Sequence, residues 1–218
     1  MAIEAVLFDL DGTLADTARD LLEACNHVLR KYRFAELSLA EIRRNVSLGA
    51  SAMLAAAVPD GQAALCGRDS VMRREFLDYY AEHVCERTVL FDGFDEVLPR
   101  LRQRGFKLAV VTGKYTALAR RVLSGLGIEE CFDAVVGSDL APRPKPDPSS
   151  LLHALSLLGV GPRAALYLGD HRNDALAALS CGAVPAAAGW GYGGDDVRGW
   201  GARHVLERPR DLLSILAP

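Results

Sequence analysis

A doubly wound α/β core interrupted by an all-helical insertion is the fold this sequence predicts, on three observations. Short β-type runs alternate with helical patterns, one long stretch breaks that rhythm, and polar residues gather where the runs end. The runs are IEAVLF (3–8), KLAVVT (107–112), DAVVG (133–137), AALYLG (164–169) and AVPAAA (183–188). Their apolar residues are nearly continuous, as in parallel strands covered on both faces. Strands that alternate with helices stack into a parallel sheet with helices on each side.

The rhythm breaks between residues 16 and 90. Leu21, Leu22, Cys25, Val28 and Leu29 recur at helical spacing, Ser38-Leu39-Ala40-Glu41 is a capping-box pattern, and Met72, Phe76, Tyr79 and Tyr80 form a third helical set. No strand candidate of comparable quality lies there. The expected division is therefore a core of residues 1–15 and 91–218 and a helical insertion of 16–90.

In the core, DEVLPRLRQRG sets Val97, Leu98 and Leu101 on one face, ends in a basic turn and stops at Gly105. Pro99 is expected early in that helix, where a missing amide donor is tolerated. Further helices are predicted near 114–126, 148–158 and 172–181, and DLLSIL (211–216) closes the chain.

The 218 residues are half hydrophobic, enough for a sizeable core. A net charge of −3, with acids and bases spread along the chain, gives no electrostatic reason to expect nucleic acid or an anionic membrane as partner. Five scattered cysteines without a Cys-x-x-Cys pair indicate neither a disulfide framework nor a zinc site, and fit reduced thiols in the cytoplasm. The first residues read as a strand rather than a signal peptide, and no apolar segment is long enough to span a bilayer.

In an open parallel sheet, ligands bind beyond the carboxyl ends of the strands. Asp9, Thr112 and Asp170 end or follow predicted strands, Lys145 sits in the proline-stiffened RPKPDP, and Asp174 lies one helical turn beyond Asp170. Close carboxylates repel one another unless a cation shares the site. Magnesium, a hard cation that favours carboxylate, water and phosphate oxygens, matches these groups. In an extended Asp-x-Asp the two side chains point to opposite faces, so Asp9 and Asp11 can hold different roles. Asp9 is the candidate nucleophile, forming an aspartyl phosphate. Asp11 is the candidate acid for the leaving oxygen and base for the attacking water. Thr112 and Lys145 are expected to hold the phosphoryl oxygens, with the Gly113 amide in support.

DLDGT, VVTG, the lysine of RPKPDP and GDHRND together resemble the four ordered motifs of the haloacid dehalogenase superfamily. The resemblance covers the whole predicted core. It implies a magnesium ligand set of Asp9, the Asp11 backbone carbonyl and Asp170, supported by Asp174 through water or Lys145. It also implies that 16–90 is a mobile cap closing over a small phosphorylated metabolite. Within the superfamily the chain is similar to phosphoglycolate phosphatases in length, cap position and GWGYGGDDVRGWGARHVL. It also resembles N-acetylmuramic acid 6-phosphate phosphatases in IRRNVSLGASAMLAAAV and LFDGFDEVL. The expected protein is a cytoplasmic monomer or homodimer.

Each residue also has a plainer reading. Asp-x-Asp-Gly is a common turn, two acids at a helix start suit its dipole, and a lone lysine is ordinarily solvated. Arg43 and Arg44 are candidate substrate contacts or a solvated helix face, and Gly49 a substrate loop or a bend between helices. Lys114 either approaches the substrate or begins a solvated helix. His171 is expected as a solvent-facing helix start, and the glycines around Tyr192 as a flexible loop. A sugar-phosphate mutase, a pyrophosphatase, a metal-free 2-haloacid dehalogenase and a non-catalytic phosphate sensor are the alternatives in function.

Overall fold

The computed structural model describes residues 2–194 and 196–216. Position 195, within the late glycine-rich segment, lies outside the described residues. In chain order the elements are β1 (Ala5–Phe8), β2 (Ala15–Asp16), α1 (Ala18–Lys31), α2 (Leu39–Val46), α3 (Ala50–Ala55), α4 (Val71–Glu82) and β3 (Val89–Leu90). There follow α5 (Phe94–Gln103), β4 (Lys107–Val111), α6 (Thr116–Gly125), β5 (Ala134–Val136), α7 (Ser149–Leu158), β6 (Ala165–Gly169), α8 (Arg172–Cys181), β7 (Val184–Ala188), β8 (His204–Leu206) and α9 (Asp211–Ile215).

The chain divides into two compact units, one formed by 1–16 with 90–218 and the other by 17–89. In the first, six strands form one sheet in the order β5-β4-β1-β6-β7-β8, every pairing parallel. Numbered along the chain this is the doubly wound order 3-2-1-4-5-6, whose direction of winding reverses beside the first strand. The register sets Phe8 beside Val110 on one side and Leu168 on the other. Successive side chains of β1 alternate faces. Ala5 and Leu7 join a buried cluster with Leu151, Leu155 and Tyr167, while Phe8 makes edge-to-face contacts with Phe94 and Phe132 at 5.9 and 6.1 Å. Both faces are covered, which is why the strand is wholly apolar.

Two details depart from expectation. The helix of DEVLPRLRQRG begins at Phe94, so Pro99 stands in its second turn, where it removes the amide that would bond the Asp95 carbonyl. The chain also adds short strands that the sequence left as loops: β8 at the sheet edge and the two-residue pair β2 and β3. Runs of two or three residues are too short to carry a readable period.

The second unit is helical. α1 buries Leu21, Ala24, Cys25, Val28 and Leu29 along one stripe, and α4 buries Met72, Phe76 and Tyr80. The capping box at α2 is complete: the Ser38 hydroxyl accepts from the Glu41 amide at 3.3 Å, and the Glu41 carboxylate accepts from the Ser38 amide at 2.8 Å. α3 and a 3₁₀ turn at Asp60–Cys66 complete the unit. Asp20, buried on α1, accepts from the amides of Arg87 and Thr88 at 2.9 and 3.0 Å and from the Thr88 hydroxyl at 2.6 Å, tying the beginning of the unit to its end. Asp20→Ala orphans these donors, the two of Thr88 buried, and is expected to destabilise this unit by roughly 2–3 kcal/mol. Urea unfolding followed by circular dichroism checks it. All five cysteines are free thiols, and no helix among the described residues is long and apolar enough to cross a membrane.

Candidate active site

β1 and β6 are hydrogen-bonded neighbours where the winding of the sheet reverses, and each delivers an aspartate beyond its carboxyl end. Asp9 extends the ladder by one bond, its amide donating to the Leu168 carbonyl at 2.9 Å. The chain then turns: the amides of Leu14 and Ala15 both donate to the Leu10 carbonyl at 3.0 Å. This turn, rather than the alternation of an extended strand, sends Asp9 and Asp11 to different partners. Gly12 holds the turn at φ +81°, and a β-carbon there would overlap the Asp170 carboxylate.

Asp9, Asp170 and Asp174 are all buried, and each offers a carboxylate oxygen within 4.8 Å of the others. Lys145 reaches this group from the loop before α7. Its Nζ lies 3.1 Å from Asp9 Oδ2, 2.6 Å from Asp174 Oδ1 and 2.9 Å from the Tyr167 hydroxyl. Tyr167 stands on β6, its hydroxyl also 2.9 Å from the Val111 carbonyl and 3.1 Å from Asp174 Oδ1. Asp174 lies in the first turn of α8, where its Oδ2 accepts from the His171 amide at 3.0 Å. Asp170 accepts the Thr13 hydroxyl on Oδ1 at 3.1 Å and the Tyr192 amide on Oδ2 at 2.8 Å.

Asp11 lies outside this trio, with the Lys114 Nζ 3.2 Å from its Oδ1. The Lys114 side chain is only 6 % exposed, so it is drawn into the site rather than solvated. Thr112 is buried at the end of β4, its hydroxyl accepting from the Lys114 amide at 3.2 Å, and Gly113 beside it is exposed. Arg43 and Arg44 belong to the last turn of α2, and Gly49 caps α3 at φ +88°, all in the helical unit. The structure therefore brings Asp9, Lys145, Asp170 and Asp174 together and sets Asp11 and Thr112 about Lys114. His171 is half-buried and turns its Nδ1 onto the Asn173 amide at 3.2 Å, so it caps α8 instead of facing solvent.

Tyr167 and Thr13 carry contacts that the sequence reading assigned to no role. A tyrosine in the otherwise aliphatic ALYLG was the available signal, because a buried hydroxyl requires a partner. The Thr13 contact joins positions 157 residues apart and had no local signal.

Three buried carboxylates cluster here and one lysine is paired with two of them, Asp9 and Asp174, and their acidities record the imbalance. Burial pushes Asp9 up from 3.8 to about 7; Lys145 opposes the rise, and Asp174 and Asp11 add to it. Burial, then Asp9 and Asp174, hold Asp170 well above the usual carboxylate range against its two hydrogen bonds. Burial draws Lys145 down, but Asp174 and Asp9 outweigh it and keep the ammonium charged. A buried, oxygen-only donor set with surplus negative charge suits a hard divalent cation.

The same imbalance has a consequence for stability. Because the folded value of Asp9 exceeds the unfolded one, the folded state keeps a proton between about pH 4 and 7 that the unfolded chain has released. This contribution is fully present below about pH 4 and is lost as pH rises through about 7. In chelator-treated protein, Asp9→Asn is expected to flatten that decline, as read by thermal unfolding from pH 4 to 8.

The family model for haloacid dehalogenase-like hydrolases matches residues 6–188. The chain belongs to this family. A phosphoglycolate phosphatase of Xanthomonas campestris pv. campestris is 39 % identical over 210 residues, covering 95 % of this chain and 94 % of its own. An N-acetylmuramic acid 6-phosphate phosphatase of Pseudomonas aeruginosa is 35 % identical over 218 residues, covering 99 % and 96 %. Among solved structures, a predicted phosphoglycolate phosphatase from Haemophilus somnus superposes with a TM-score of 0.88 at 25 % identity, covering 99 % of this chain and 98 % of that one. This haloacid dehalogenase-like hydrolase is a phosphatase; phosphatases of the family typically use a divalent metal, and the structure holds a cluster of three buried acids.

Proposed function

We propose that this hydrolase is a magnesium-dependent phosphomonoesterase that acts through an aspartyl phosphate, with 2-phosphoglycolate as substrate. The observation that carries the chemistry is Asp9, buried at the end of β1 against Lys145 and facing Asp170 and Asp174. Asp9, Asp170 and the Asp11 carbonyl would hold the magnesium, with Asp174 supporting through water or Lys145; when bound, the ion supplies charge neutralisation at the phosphoryl oxygens.

Asp9 attacks phosphorus as the ester P–O bond breaks. Asp11 gives its proton to the departing glycolate oxygen and then takes one from the water that attacks the phospho-aspartate. Phosphate leaves, Asp9 is restored as a carboxylate and Asp11 is protonated again, so the cycle closes. Lys145 and Thr112, with the Gly113 amide, position the phosphoryl oxygens, and Lys145 also holds Asp174 in place. We assign substrate selection to a helical cap, with Arg43, Arg44 and Gly49 as its candidate contacts.

The substrate choice is supported by the phosphoglycolate phosphatase named above, and the 35 % identical N-acetylmuramic acid 6-phosphate phosphatase supports a second reading. Phosphate release is to be measured on 2-phosphoglycolate, N-acetylmuramic acid 6-phosphate, pyrophosphate and several sugar phosphates, each with magnesium and with chelator. Magnesium-dependent release with 2-phosphoglycolate preferred is the expected result. Preference for the amino-sugar phosphate replaces the substrate, and no release from any member overturns the activity.

A further inference from the structure

Asp170 is held by a segment that the chemistry above does not use. Gly191 and Gly193 pack so closely that a β-carbon on the first would overlap the Asp170 side chain, and on the second the Asp170 carbonyl and Trp200. Between them, Tyr192 is bonded at both ends. Its amide donates to Asp170 Oδ2 at 2.8 Å, and its hydroxyl donates to Asp16 Oδ1 at 2.6 Å. Trp190, two residues earlier, donates its indole N–H to the Thr13 carbonyl at 3.0 Å, and the Thr13 hydroxyl bonds the other oxygen of Asp170. The loop is thus fastened to residues 13 and 16, on the segment that carries Asp9 and Asp11, and to one oxygen of the Asp170 carboxylate whose other oxygen Thr13 holds. This differs from the flexible loop its glycines suggest.

We propose that Tyr192 is a positioning residue for cation binding: its hydroxyl, anchored on Asp16, holds its own amide against Asp170 and so fixes the carboxylate for a divalent ion. The inference rests on the reading of Asp170 as a cation ligand. Two hydrogen bonds oriented by separate anchors remove the rotational freedom of a short side chain before an ion arrives, and partners behind the ligands set metal affinity. Tyr192 touches neither substrate nor ion in this role.

The experiment is magnesium titration by calorimetry, without substrate, on the full chain as wild type, Tyr192→Phe, Asp16→Asn, the double variant and Asp20→Ala. Tyr192→Phe keeps the ring and the amide and removes one bond. Magnesium affinity is expected to fall about tenfold, at the lower end of what losing an outer partner costs. Asp16→Asn weakens the same contact and is expected to lower affinity in the same direction, with the double variant no weaker than Tyr192→Phe because both act through one bond. Asp20→Ala, a stability lesion in the helical unit, is expected to bind magnesium as wild type does. Affinity in Tyr192→Phe within about twofold of wild type, or losses that add in the double variant, overturn the proposal. Wild-type protein that binds no magnesium overturns this proposal and the metal reading together, whereas wild-type binding with an unaffected Tyr192→Phe overturns this one alone.

Discussion

Asp9→Asn is expected to abolish phosphate release while the protein stays folded. The substitution is nearly isosteric and keeps an oxygen for the Leu10 amide, which donates to Asp9 Oδ1 at 2.8 Å. It removes the charge and the oxygen that the proposed covalent step uses as nucleophile. Loss of such a nucleophile lowers kcat by roughly 10⁴- to 10⁶-fold, and steady-state phosphate release measures it. Folding should not suffer, because the deleted charge is one of three buried carboxylates clustered beside a single lysine that keeps Asp174 as its partner. Without metal, the variant is expected to melt above wild type at pH 8, where wild-type Asp9 must ionise in a buried site. Turnover within tenfold of wild type would sink the covalent mechanism.

Lys145→Met is expected to have the largest effect on stability. The side chain is 12 % exposed and faces Asp9 at 3.1 Å and Asp174 at 2.6 Å, so methionine fills the volume and leaves both carboxylates without this counter-charge. Removing one partner of a buried ion pair costs about 3–5 kcal/mol. In the metal-free protein the loss should be greater at pH 8 than at pH 5, because at the lower pH Asp9 sheds its charge by taking up a proton. Combining the change with Asp9→Asn should return part of the stability, and thermal unfolding of the four proteins makes that comparison. Strictly additive effects would mean that Lys145 acts elsewhere.

These two positions are legible in the sequence because each lies in a motif whose place follows from strand order. An apolar run of four residues followed by an acid says where β1 stops and what hangs from its end. The central strands and α7 and α8 were equally plain, since burial on both faces or a single stripe leaves a period to read. β8 was not, with three residues, nor α3, where Ala50–Ala55 offers an alanine-rich turn without a clear face. Pro99 lies in the second turn rather than the first whether the helix is begun at Asp95, as the sequence suggests, or at Phe94, as Gly93 caps it, so its missing amide falls within the helix. Within the site, the sequence supplied Asp9, Asp170 and Asp174 but not their mutual distances. It left Lys114 undecided, since a lysine at a helix start is buried or solvated according to what lies opposite, and Asp11 comes from the turn that follows β1. Tyr192 was visible as a residue and unreadable as a contact, because both of its bonds cross more than twenty positions.

The pairing of β1 also bears on how the chain is made. Its two neighbours begin at Lys107 and Ala165, so on a ribosome the apolar segment Ala5–Phe8 emerges long before either partner exists. The helical unit at 17–89, by contrast, is continuous in sequence and complete before β4 has been translated. Distant pairings close late and slowly, and an unpaired apolar strand invites association with other chains while it waits. Synthesis therefore completes the helical unit before the site can form: Asp9 and Asp170, far apart along the chain, meet only when β6 pairs with the earlier β1.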